Sequence, residues 1–122
     1  MTQEEKELLL KDLCARLPYG IKVNNEIQGD FKIYGICENF VFGRNEVCHI
    51  DFDIEKIKPY LFPLSSMTAE QIKEFNSITQ KCNTYIGKSI LLTDFCNKHH
   101  IDWRGFIEKE LALDATGLGI YE

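Results

Sequence analysis

The hydrophobic period of this chain changes twice, and that change constrains its fold more than any single motif. Over residues 3 to 16 the apolar side chains recur at helical spacing, from Ile21 to Ile54 they alternate, and after residue 68 helical spacing returns. Successive side chains on a strand point to opposite faces, whereas residues three and four apart on a helix share one. A segment patterned for one element would bury the wrong residues as the other. The expected class is therefore α+β: an N-terminal helix, a three-stranded antiparallel β-meander and a helical C-terminal half.

Local signals place the boundaries. Thr2-Gln3-Glu4-Glu5 is a capping box, in which the threonine hydroxyl and the glutamate carboxylate satisfy each other's unpaired backbone N–H groups. A helix should run from there over residues 3 to 16, with Leu9, Leu13, Leu17, Leu10 and Cys14 as its apolar stripe and Pro18 and Gly20 as its end. Gly29-Asp30 and Gly43-Arg44-Asn45 punctuate the alternating stretch into three strands. In the last, Cys48, Ile50, Phe52 and Ile54 face the core; in the one before, Phe31, Ile33 and Cys37 do, with Gly35 allowing a bulge.

Pro59 and Pro63 bracket Tyr60-Leu61-Phe62, which reads as an extended connector laid against the core. Thr68-Ala69-Glu70-Gln71 is a second capping box, with Met67 and Ile72 spaced as a hydrophobic staple, so a second helix should reach residue 81. A third is expected over residues 89 to 99, and Asp102 is placed to cap a short fourth carrying Phe106, Ile107 and Leu111.

Length and composition bound the setting. A chain of 122 residues, 44% hydrophobic, fits one domain spanning residues 1–122 and should bury roughly two thirds of its unfolded surface. Five cysteines, odd in number and without a C-x-x-C pair, argue for reduced thiols in a cytoplasmic protein, each packed as a small buried hydrophobe. The polar start, Met1 to Lys6, lacks the apolar core of a secretory leader. No apolar run approaches the roughly 20 residues needed to span a bilayer. Fourteen basic against 19 acidic residues give net charge -5, and no two basic residues are adjacent, which disfavours nucleic acid as a partner.

Three blocks, residues 12–20 (DLCARLPYG), 57–68 (IKPYLFPLSSMT) and 97–105 (NKHHIDWRG), resemble short uncharacterised proteins encoded by phages and mobile elements of gut bacteria. The blocks keep their order and span almost the whole chain. That group has no established activity, so the resemblance implies a setting and contributes no catalytic residues.

The strongest chemical constellation is Cys96, His99 and His100. On a helix the two histidines flank the cysteine within an arc of about 100°, a plausible start for a metal site that would need further ligands from elsewhere. The ordinary alternative has Cys96 and His99 continuing the core stripe while His100, as an imidazolium, caps the helix C-terminus. His49, Asp51 and Asp53 share a strand face but stand about 6.6 Å apart in succession, so they read as a solvated outer face. Gly87-Lys88-Ser89 mimics the end of a phosphate-binding loop, yet Cys82 occupies the position of its first glycine. No motif calls for a cofactor.

Trp103 and Arg104, with the aromatic pair Tyr60 and Phe62, are the residue types that anchor protein partners. The functional expectation is a small non-enzymatic accessory protein that acts by binding another protein or a second copy of itself. The alternative expectation is a metal-assisted hydrolase built on Cys96, His99 and His100.

Overall fold

Both halves of the N-terminal capping box form: Thr2 Oγ1 accepts from the Glu5 N–H at 3.1 Å and Glu5 Oε1 from the Thr2 N–H at 2.9 Å. They start α1, Gln3–Arg16, in the computed structural model, which describes all 122 residues. Its buried face is Leu9, Asp12, Leu13 and Arg16, one helical stripe of which half is charged. Leu10 and Leu17 only flank the core and Cys14 is exposed, so the apolar stripe expected there is displaced around the helix.

The meander has four strands, not three. These are β1 (Lys22–Asn25), β2 (Gly29–Cys37), β3 (Phe40–Arg44) and β4 (His49–Asp53), each antiparallel to the next. The missed hairpin turns on Glu38 and Asn39, with Cys37 paired to Phe40 and Glu38 at φ 54°. Neither glycine nor proline marks it, and positive φ is uncommon for glutamate. Gly29-Asp30 and Gly43-Arg44 lie inside strands instead. The neighbouring turns are fixed by asparagines: Asn25 Oδ1 accepts from the N–H groups of Ile27 and Gln28, and Asn45 Oδ1 from those of Val47 and Cys48.

A bulge in β2 alters which residues face inward. Ile33 pairs with Gly43 and Gly35 with Phe42, leaving Tyr34 as the extra residue. The alternation advances by one, so Ile36 packs on the core and Cys37 is exposed. All five thiols are free, but Cys96 alone is buried, which corrects the expectation of five buried ones.

Two further strands complete a six-stranded mixed sheet of order β4-β3-β2-β1-β5-β6. The proline-bracketed segment is β5, Lys58–Leu61, antiparallel to β1 on one side and parallel on the other to β6, Leu113–Asp114. Proline normally argues against an inner strand because it donates no ladder bond. Here β6 starts its pairing at Tyr60, beyond Pro59, so that donor is not needed on that side.

Gly43 shows how tightly the sheet is filled. A Cβ there would lie 2.9 Å from Phe31 Cβ, and Phe31 is itself wedged edge-on against Phe52 at 4.9 Å. Overpacking of a filled core costs about 1 to 3 kcal/mol. Gly43→Ala should therefore lower the urea midpoint by an amount equivalent to about 2 kcal/mol; a change within a few tenths would show that the strands can part there.

The second capping box opens α2, Ala69–Lys81, and Thr84 caps α3, Tyr85–Lys98, which begins before the expected residue 89. Thr84 Oγ1 accepts from the Gly87 N–H at 3.0 Å, and a Cβ on Gly87 would come within 2.7 Å of that oxygen. Gly87 thus belongs to a helix cap. The fourth helix does not form. Asp102 does accept from the N–H groups of Phe106 and Ile107, at 2.9 and 2.8 Å, but Gly105 at φ 77° and Glu110 at φ 61° fold the segment into turns leading to β6.

Two apolar clusters result. The larger lies between α1 and the sheet, centred on Leu9, Leu13, Val23, Phe31 and Leu61; the smaller, Phe95, Cys96 and Ile101, lies under the α2–α3 hairpin. No helix is long and apolar enough to cross a membrane.

Candidate functional site

The end of α3 organises the residues singled out in the sequence. His99 is its C-cap and His100, at φ 57°, the left-handed residue beyond it. The His100 N–H donates to the Asn97 carbonyl and the Ile101 N–H to the Cys96 carbonyl, with Cys96 and Ile101 in contact, which is the Schellman arrangement. Glycine usually fills that left-handed position, and another residue there costs on the order of 1 kcal/mol. The backbone does the capping, and His100 is not the dipole-stabilised imidazolium expected. Its side chain is 6% exposed and stacked on Tyr121 at 4.0 Å. Burial, with Arg16 nearby, pushes its pKa down to about 4, so at neutral pH it is uncharged.

Arg16 crosses from α1 to the same helix end. Fully buried, it donates from Nε to Asp12 Oδ2 at 2.8 Å and from Nη2 to the Ile101 carbonyl at 2.7 Å, with a longer contact to the Cys96 carbonyl at 3.4 Å. Asp12 also accepts from Arg104 Nε at 3.2 Å, and the Arg104 guanidinium lies 4.0 Å from the centre of the Trp103 ring. Trp103 in turn donates to Asn97 Oδ1 at 3.2 Å. A charge removed from water needs both a counter-ion and enough hydrogen-bond acceptors; Arg16 has both.

The three metal candidates are not brought to one point. Cys96, its thiol pKa raised by burial, lines a groove with Leu64, Phe75, Leu92 and Trp103. His99 packs on Phe95, with Nε2 3.7 Å from Glu74 Oε2, too far for a hydrogen bond. It opens with His100 into a different cleft. No group of three or more His, Cys, Asp or Glu side chains converges where a metal ion could sit.

Of the four partner-binding candidates, Trp103 and Arg104 are half-buried beside the groove. Phe62 is half-buried against Tyr121. Tyr60 is buried, and its hydroxyl donates to Asp30 Oδ1 at 2.7 Å; burial and that carboxylate raise its pKa to about 12. Tyr60 thus has little surface to offer a partner. His49 and Asp51 are exposed, while Asp53 caps a 3₁₀ turn through the Glu55 N–H.

Two surfaces escaped the sequence reading. One is the outer side of the α2–α3 hairpin, where Tyr85 is 85% exposed, Ile86 72% and Ile90 56%. The other is a cleft of about 430 Å³ lined by Lys22, Lys32, Lys98, His99, His100 and Tyr121, among others. Its lysines lie far apart in the chain, and their meeting depends on the β1–β2 register and on where α3 ends. Asn25 was the available signal, since placing that turn puts Lys22 opposite Lys32. The chain matches no family model, no curated protein and no solved structure.

Proposed function

We propose that this chain is a non-enzymatic binding module that docks another protein through its α2–α3 hairpin. The observation carrying this reading is the mismatch between the composition of α3 and its surroundings. From Tyr85 to Leu92 the helix carries five large apolar side chains, Tyr85, Ile86, Ile90, Leu91 and Leu92, spread around most of its circumference with Lys88 and Ser89 between them, yet it buries only Phe95, Cys96 and Asn97. A helix that is hydrophobic all round belongs inside something. Partner α2 buries no residue at all, and Ile72 on it is also exposed.

The whole surface points the same way. A compact monomer of 14.2 kDa should expose about 6,800 Å², whereas this chain exposes 7670 Å². The excess, on the order of 900 Å², is close to one partner's share of a standard protein interface. The groove beside Trp103 continues the apolar surface toward the core.

Ile86→Asp with Ile90→Asp tests the reading, because both positions are exposed and the variant should keep its melting temperature. Crosslinking in source cells should join the wild-type hairpin to a protein partner and fail with the variant. Equal crosslinking by both forms would sink the proposal. Sedimentation equilibrium covers the remaining case, since a dimer lost in the variant would identify the occupant as a second copy.

A further inference from the structure

Lys22 stands directly opposite Lys32 in the β1–β2 ladder, and like charges placed opposite one another on a sheet repel and lower stability. Neither lysine has a carboxylate to offset this. The ion pairs of the molecule are Lys6–Glu55, Arg16–Asp12, Arg104–Asp12 and the long His99–Glu74 contact. Lys98, from the last turn of α3, reaches the same cleft and is also unpaired. In a chain with 19 acidic residues against 14 basic ones, three free lysines therefore share a cleft whose lining includes no carboxylate.

The surroundings look built to keep them there. Gly20, at φ 74°, leaves room for the Lys32 stem: a Cβ at that position would sit 3.3 Å from Lys32 Cε. Lys22 Nζ is steadied by the Ile120 carbonyl at 2.8 Å, with two of its three protons left over. His100 is held in a left-handed backbone conformation, 94% buried, and its Nδ1 has no hydrogen-bond partner. The strain at His100 and the like-charge pair each oppose stability, and proteins keep such features where they serve a site.

We infer that this cleft binds a small molecule carrying two or more phosphate charges. Its lining contains no arginine, so an anion there is held by separated ammonium groups acting as point charges, and three of them match a ligand whose negative charge is spread over more than one phosphate group. The volume, about 430 Å³, suits a ligand of metabolite size. Phe62, Tyr121 and Tyr19 give it aromatic walls, and Glu74, 3.7 Å from His99 Nε2, is the one carboxylate paired to an ionisable group of the lining.

The test titrates the intact chain with inorganic pyrophosphate and with orthophosphate at low salt, by calorimetry and by amide chemical shifts. One saturable site is expected, with pyrophosphate bound at least about tenfold more tightly than orthophosphate, and shifts centred on Gly20, Lys32 and His100. Lys32→Gln and Lys98→Gln should each weaken pyrophosphate binding about tenfold. Lys32→Gln should also melt at the same or a higher temperature, because the repulsion with Lys22 is relieved. No saturation at millimolar pyrophosphate, or full affinity in both variants, would overturn the inference. A single-stranded oligonucleotide that bound more tightly than pyrophosphate, with a steep salt dependence, would overturn it too, by assigning the lysines to a nucleic-acid backbone.

Discussion

Asp12→Ala is expected to destabilise the fold by about 3 to 5 kcal/mol, the cost of leaving a buried charge without its partner. Arg16 would keep the Ile101 and Cys96 carbonyls as acceptors but lose its counter-ion, and Arg104 would lose its link to α1. Against a total stability of about 5 to 15 kcal/mol, that lowers the melting temperature by roughly 10 to 20 °C. Arg16→Met in the same background should recover part of the loss, since it removes the uncompensated charge, but not all of it, because the two carbonyls at the end of α3 then lack a donor. Urea titrations of the two single variants and the double variant close the cycle. A cost under about 1 kcal/mol for Asp12→Ala would mean that water or rearrangement satisfies Arg16.

Acid should weaken the protein through His100 in a defined window. Its pKa is about 4 when folded against 6.5 for a free histidine, so between those values the unfolded chain binds the proton and the folded chain does not. Stability from the neutral ring is complete above pH 6.5, falls as pH drops through the window and levels off near pH 4. The total is on the order of 3 kcal/mol. Burial is the main cause, with the Arg16 and Lys22 charges adding to it, while a hydrogen bond to the Tyr19 backbone works the other way. His100→Phe keeps an aromatic ring against Tyr121 and removes the titration. The wild type should lose about 2 to 3 kcal/mol more than this variant between pH 7 and pH 4.5; parallel pH profiles would show that the ring gains water or a counter-charge when protonated.

What the sequence made legible follows from how local each signal is. Capping boxes involve residues three apart, so Thr2–Glu5 and Thr68–Gln71 announced α1 and α2 before any tertiary contact was considered. The alternation around Phe31, Ile33, Phe52 and Ile54 likewise marked residues that are buried. The reading failed where backbone conformation or partner strands decided the outcome. Glu38 takes positive φ in a turn whose only local mark is Asn39, Tyr34 shifts the strand phase, and Pro59 joins a sheet because β6 arrives beyond it. Asp102 caps, yet Gly105 and Glu110 prevent the helix it should have started.

The candidate site divides along the same line. Cys96, His99 and His100 were visible as neighbours on one helix, but helical adjacency does not say which way each faces once the helix docks. Packing sends Cys96 to the groove and both histidines to the cleft. Periodicity did not single out Asp12 and Arg16, because it counts apolar residues and registers a buried ion pair as polar surface.

The sequence by itself therefore determined the class, the starts of α1 and α2 and most of the core rows, since these depend on interactions within one turn or one pleat. Only the tertiary structure decided the fourth strand of the meander, the two strands beyond it, the burial of Arg16 and the meeting of Lys22, Lys32 and Lys98. Those features depend on strand register and on groups far apart in the chain, such as Arg16 and Ile101 at a sequence separation of 85, where a local pattern carries no information about which groups will meet.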